Sequence, residues 1–100
     1  MFFITQIVYV RPGKESTFDA FENVAERLIA RHHGEILLRI RPSRDTVVSA
    51  SIEVPYEIHL VRFEREEDFR RFSNDEERQR ALALKNEAVS ASVVITGTSS

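Results

Sequence analysis

From Phe2 to Val10 the chain reads Phe-Phe-Ile-Thr-Gln-Ile-Val-Tyr-Val, with apolar side chains at odd and even positions alike. Successive side chains of a strand point to opposite faces, so this segment needs cover on both of them. Arg11-Pro12-Gly13 breaks the strand, and from Ser16 the period changes from 2 to 3.6. Phe18, Phe21, Ala25, Leu28 and Ile29 share one helical face, and Asp19, Glu22, Glu26 and Arg27 are assigned to the other. Ser16 or Thr17 is the expected N-cap, and Gly34, after Arg31-His32-His33, is the expected left-handed residue beyond the C-terminus.

The pattern then alternates again over Glu35 to Arg41, with Ile36, Leu38 and Ile40 opposed to Leu37, Arg39 and Arg41. The arginines suit an edge strand, where charge discourages pairing with other chains. Residues 42 to 55 form a long connection between Pro42 and Pro55, and its two aliphatic clusters predict a protruding hairpin arm that reaches a partner or shields a pocket mouth. Tyr56 to Phe63 is a third strand, with Tyr56, Ile58 and Leu60 opposed to Glu57, His59, Val61 and Phe63. A short charged helix over Glu64 to Phe72 follows. A capping box from Ser73 or Asn74 starts another helix, with Arg78, Ala81, Leu82, Lys85 and Val89 on one side. Ser92 to Thr98 is the last strand, and the serine end beyond it is expected to fray.

The order β-α-β-β-α-β with right-handed crossovers predicts a ferredoxin-like α+β fold: one four-stranded antiparallel sheet with the helices on one face. The first and third strands are central in that arrangement. One hundred residues make one domain, and its helices can cover only one face of the first strand. The uncovered apolar face predicts a homodimer.

Composition narrows the chemistry. A chain with no cysteine has no disulfide, no thiolate nucleophile and no cysteine-held cluster, and it suits a cytoplasmic setting. A net charge of −2 gives no general pull toward nucleic acid or an acidic membrane, so neither is expected as partner. No apolar run reaches the roughly 20 residues that span a bilayer. Met1-Phe2-Phe3-Ile4 lacks the basic start of a signal peptide. With only three glycines there is no glycine-rich phosphate loop.

The strand Phe3 to Val10, the Arg11-Pro12-Gly13-Lys14 turn, the helix ending at His33-Gly34, the segment Tyr56 to Phe63, Glu66-Glu67-Asp68-Phe69, and Asn74-Asp75-Glu76-Glu77-Arg78 together resemble the dimeric α/β-barrel superfamily. The likeness extends over nearly the whole chain, as a pattern of elements, and is greatest to small uncharacterised members. It implies two protomers packing their open sheet faces together, with the helices outside. The superfamily includes cofactor-independent monooxygenases, muconolactone isomerases and haem-dependent chlorite dismutases. No branch-specific motif occurs here, and fold kinship of such breadth does not fix activity.

Among individual residues His59 stands out, as a histidine in the middle of a central strand with a proton that exchanges near neutral pH. If Ile58 and Leu60 face the helices, His59 faces the barrel lumen, with Glu57 two residues away to tune it. The bland alternative is a histidine hydrogen-bonded across the dimer interface. Gln6 and Tyr9 are further ligand-binding candidates on the first strand, on opposite faces, and each is also ordinary β sequence. Arg39, Arg41, Arg44 and Arg62 could gather around an anion or simply solvate an edge. His32-His33 diverge by about 100° on a helix and do not make a chelating pair, so no metal and no cofactor is expected. The leading expectation is a small homodimeric protein that binds a small apolar or aromatic molecule. The alternatives are a cofactor-independent monooxygenase- or isomerase-like enzyme acting on such a molecule, and a structural dimer without ligand.

Overall fold

The computed structural model describes residues 1–99. Its elements are β1 (Phe2–Val10), α1 (Glu15–Arg31), β2 (Gly34–Ile40), β3 (Glu57–Phe63), α2 (Glu66–Ser73), α3 (Glu76–Ala88) and β4 (Val89–Thr98). The strands form one antiparallel sheet in the order β2-β3-β1-β4, so β1 and β3 are central as their two-sided apolar pattern requires. The helices lie on one side, and the fold is the ferredoxin-like α+β arrangement.

The two faces of the sheet differ sharply in cover. Phe2, Ile4 and Val8 of β1 and Glu57, His59, Val61 and Phe63 of β3 are buried beneath the helices. Under them Phe18, Phe21, Ala25, Leu28 and Ile29 of α1 supply the buried stripe that the 3.6-residue spacing predicted. Full burial of side chains of this size is worth about 1.5–3 kcal/mol each. On the opposite face Phe3, Thr5, Ile7, Ile58 and Leu60 meet no second layer, and Leu38, Ile40, Val93 and Ile95 are exposed.

Several local expectations are corrected. The helix stripe includes Glu22, buried at 6% exposure, which had been assigned to the solvent side. It lies four residues after Phe18 and three before Ala25, so its position belongs to the inner stripe whatever its polarity. The β3 faces are reversed: His59 and Glu57 point toward the helices, and Ile58 and Leu60 toward the open side. Burying these two polar groups is tolerated because they bond to each other and Glu57 also accepts from Arg39 and Arg41. In β2 the register shifts between Ile36 and Leu38, so Ile36 turns inward while Leu38 and Ile40 face the open side.

The caps also differ. Lys14 precedes α1 without a side-chain cap, so neither Ser16 nor Thr17 serves. His33, not Gly34, takes the left-handed conformation, at φ 61°. Gly34 is needed for closeness instead: a Cβ there would lie 2.7 Å from Ile29 Cγ2 and from the Phe63 ring. Asp75, rather than Ser73 or Asn74, caps α3 by accepting from the Glu77 amide at 2.9 Å. The α3 helix ends at Ala88, so Val89 belongs to β4, which starts earlier than expected. Arg11 fixes that corner by donating to the carbonyls of Asn86, Glu87 and Val89, each at 2.9 Å.

The 42–55 connection holds a single 3-10 turn, Arg44–Thr46, and no strand pairing, so it is not a hairpin. Tyr9 anchors it, its hydroxyl donating to the Glu53 carbonyl at 2.7 Å. The fraying expected of the serine end falls partly on Ser100, which lies outside the described residues; the Ser99 amide donates to the Met1 carbonyl at 3.3 Å.

Candidate functional site

Antiparallel register brings the site together. Gln6 of β1 lies opposite His59 of β3, and His59 lies opposite Arg39 of β2, so one row across the sheet carries three polar side chains toward the helices. Val94 of β4 completes the row next to Gln6. Two residues along β3 is Glu57, on the same face and 1% exposed.

Glu57 is the hub of a charged cluster. It accepts from Arg39 Nε at 3.2 Å and Nη2 at 3.0 Å, from Arg41 Nε at 2.8 Å, and from His59 Nε2. Burial by itself would raise its pKa, but the hydrogen bonds from His59 and Arg41 and the nearby charges outweigh that and hold the carboxyl below its ordinary value. An ionised carboxylate only accepts, so the hydrogen in this contact sits on His59 Nε2. Arg41 reaches past Glu57 to Asp19 at 2.8 Å and lies over the Tyr56 ring at 4.9 Å.

The other ring nitrogen, Nδ1, faces Glu22 of α1 at 3.8 Å, within ion-pair range but longer than a hydrogen bond. Glu22 is shifted the opposite way from Glu57: burial dominates and raises its pKa despite the nearby His59 and Arg39. His59 thus lies between two carboxyl groups driven apart by their surroundings, one kept ionised by arginines and one pushed toward its neutral form. Phe18 stacks beside the imidazole, ring centroids 6.2 Å apart.

Next to this cluster is a cavity of about 110 Å³ between the sheet and the helices. Phe21, Phe63, Phe69 and Phe72 supply much of its wall, and Gln6, Glu22, His59, Arg78 and Lys85 are its main polar lining. Phe63, Phe69 and Phe72 are mutually packed at centroid distances of 5.5 to 6.5 Å, so the aromatic wall is held in place by its own contacts. This is smaller than the closed apolar cavity of about 150 Å³ that holds benzene, but the space is partly open to solvent, so a single-ring guest would fill it and extend into its mouth.

Three of the four site residues expected from sequence, His59, Gln6 and Glu57, therefore share one face. Tyr9 does not join them, because it lies on the opposite face of β1 and binds the connection. The four arginines do not converge: Arg39 and Arg41 bind Glu57, whereas Arg62 pairs with Glu35 at 2.6 Å. His32 bonds to Asp75 at 2.7 Å, and among the described residues no group of three potential ligands is gathered for a metal ion. Glu22, Arg78 and Lys85 were missed. Glu22 was legible from its spacing, and the sequence pattern already grouped Arg78 and Lys85 with Ala81 and Leu82 on one side of α3, but nothing in it marks the two cations as lining a cavity.

No protein-family model matches this chain, and no curated protein does. Solved structures do match. A protein of unknown function from Rhodopseudomonas palustris superposes with a TM-score of 0.84 at 14% identity, covering 95% of this chain and 78% of that one. A dimeric protein of unknown function with a ferredoxin-like fold from Bacteroides fragilis gives 0.70 at 13% identity, covering 96% and 93%. A candidate antibiotic biosynthesis monooxygenase from Nitrosomonas europaea gives 0.69 at 8% identity, covering 99% and 98%. Likeness at these identities establishes the fold, in agreement with the resemblance read from the sequence. Among the described residues no helix is long and apolar enough to cross a membrane.

Proposed function

We propose that the protein is a cytoplasmic homodimer that binds a small, largely aromatic molecule between its sheet and its helices. The observation that carries this reading is the cavity of about 110 Å³, walled largely by phenylalanines, with Gln6, Glu22 and His59 among its polar lining. An apolar pocket with a few convergent polar groups is the usual form of a small-molecule site. The homodimer is supported by the uncovered face of the sheet, where Leu38, Ile40, Val93 and Ile95 are 41–55% exposed around half-buried Ile7, Ile58 and Leu60. The dimeric Bacteroides fragilis neighbour lends that point support at the level of fold.

The test is a thermal-shift screen of small aromatic and quinone-like compounds against wild type, His59→Ala and Phe21→Leu. A ligand present at 100 times its Kd stabilises the native state by about 2.7 kcal/mol. Hits should be weakened in both variants. Hits unaffected by either would place binding elsewhere, and the absence of any hit would favour the structural dimer.

A second reading, a cofactor-independent isomerase- or monooxygenase-like enzyme, is favoured by the opposed pKa shifts of Glu57 and Glu22 on either side of His59. Carboxyls pushed apart in this way are suited to separate proton-accepting and proton-donating roles. With its Nε2 hydrogen held by Glu57, His59 turns Nδ1 toward Glu22 and the cavity. The Nitrosomonas europaea neighbour supports this reading only by analogy of fold. Proton exchange from the acidic carbon of a bound ligand into deuterated water, lost in His59→Gln, would distinguish enzyme from binder.

A further inference from the structure

The cavity wall contributed by α3 carries two cations, Arg78 and Lys85, that pair with no carboxylate at ion-pair distance among the described residues. Lys85 lines the cavity half-buried and makes no hydrogen bond or ion pair among the described residues. Arg78, about two turns earlier on the same face, lies over the Phe72 ring at 5.1 Å and donates from Nη1 to the Ser73 carbonyl at 3.3 Å. Its Nε is buried and has no hydrogen-bond partner among the described residues. Donors of a guanidinium left unpaired in an apolar wall cost free energy, and two such cations facing one space repel each other.

The counter-charge available inside is small. Glu57 is already spent on Arg39 and Arg41, which lie on the β2 side of the row. Among the described residues Glu22 is the one carboxyl lining the cavity; it lies within electrostatic reach of Arg78 and Lys85 but bonds to neither, and burial biases it toward the neutral acid. Burial, followed by repulsion from Arg78, likewise works against the charged form of Lys85. A negatively charged guest would relieve these penalties together, by pairing with Lys85 and supplying the acceptor that Arg78 Nε lacks. A neutral guest would leave them in place.

We infer that the molecule taken by this cavity is an aromatic anion, its ring against Phe21, Phe63 and Phe72 and its carboxylate or similar oxyanion held by Arg78 and Lys85. This inference rests on reading the cavity as a ligand site, and it adds the charge of the ligand and the residues that select it. Two ends of the molecule are then recognised by different elements: the ring by α1, α2 and β3, the anion by α3. His59 of β3 lines the same cavity as the ring-binding phenylalanines, and Glu22 lies within electrostatic reach of His59, Arg78 and Lys85 alike.

A matched pair of probes tests the point: benzoate and benzyl alcohol, alike in size and ring but differing in charge. Binding to the wild-type protein is measured by calorimetry and thermal shift at constant ionic strength. Benzoate should bind at least about tenfold more tightly, since one charge-assisted hydrogen bond alone supplies that ratio. Arg78→Met and Lys85→Met should each bring the two affinities close together, mainly by weakening benzoate, while Arg78→Lys keeps most of the preference. Equal or tighter binding of benzyl alcohol to wild type would overturn the inference and leave the cavity as a ligand site. A preference that survives both methionine variants would overturn the assignment to Arg78 and Lys85. If neither probe binds wild type at about 10 mM, the ligand-site reading itself falls, and the inference with it. The wild-type comparison needs no variant to fold, so the inference stands or falls even where a substitution is not tolerated.

Discussion

Replacing Glu57 by glutamine keeps the shape of the side chain and removes the charge on which Arg39, Arg41 and His59 converge. Glu57 is 1% exposed, so no water can take its place. Breaking a fully buried ion pair by removing one partner costs about 3–5 kcal/mol. Here the stranded partners are less confined, because the Arg39 side chain is 26% exposed and that of Arg41 is 49% exposed, and both can regain water. The expected loss is therefore at the lower end, about 2–3 kcal/mol. In urea, with a slope of about 1.5 kcal/mol per molar, the unfolding midpoint should fall by about 1.3–2 M at pH 7. The effect should also depend on pH in a defined direction. Because the folded carboxyl is held below its ordinary value of 4.5, its stabilisation is complete above that value and declines as pH falls through the lower folded value. The gap between wild type and Glu57→Gln should narrow in that same acid window. A loss below about 0.5 kcal/mol at pH 7 would mean that the cluster behaves as a solvated surface network, contrary to the burial argument.

Glu22→Gln should behave in the opposite sense. Its folded pKa is raised, so wild type loses stability as pH climbs from about 4.5 through the folded value, and the glutamine variant, compared by denaturant melts at pH 4 and 8, should gain on wild type with rising pH. A parallel pH course for the two proteins would refute the buried placement of Glu22. Phe21→Ala should cost about 3–5 kcal/mol in the same melts, since Phe21 is 4% exposed and walls the cavity, and a cost under about 1 kcal/mol would mean the helix face is misplaced. Gly34→Ala should destabilise by about 1–3 kcal/mol, because its Cβ would meet Ile29 and Phe63 at 2.7 Å; a neutral effect would show that the α1–β2 corner yields. Light scattering after size exclusion should give twice the chain mass of 11.6 kDa, and a stable monomer at micromolar concentration would leave the open sheet face without its partner.

The sites where reading the chain succeeded and failed follow one rule. Periodicity reports which positions share a face, and it did so for Phe18, Phe21, Ala25 and Leu28 and for the set Glu57, His59, Val61 and Phe63. It does not report which face is inside. Polarity was used to decide that, and polarity misled at Glu22, Glu57 and His59, because a charge is tolerated inside once another element brings it a partner. Those partners are distant in sequence: Arg39 stands 18 residues from Glu57, and Glu22 stands 37 from His59. For α3 the period grouped Arg78 and Lys85 with Ala81 and Leu82, and the structure places that side inward, but it gave no sign that the two cations line a cavity.

By itself the sequence determined the α+β class, the order of the elements, the central place of the two strands least interrupted by charge, and an apolar sheet face that the chain's own helices leave uncovered. These depend on local spacing and on how much apolar surface a chain of this length can cover, both of which are carried along the chain. Only the tertiary structure decided that His59, Gln6 and Glu57 lie beneath the helices, that Tyr9 is excluded from them, and that Glu22, Arg78 and Lys85 complete the wall. Cross-strand register and helix-to-sheet docking set those neighbours, and both depend on residues tens of positions apart, which spacing within one element does not encode.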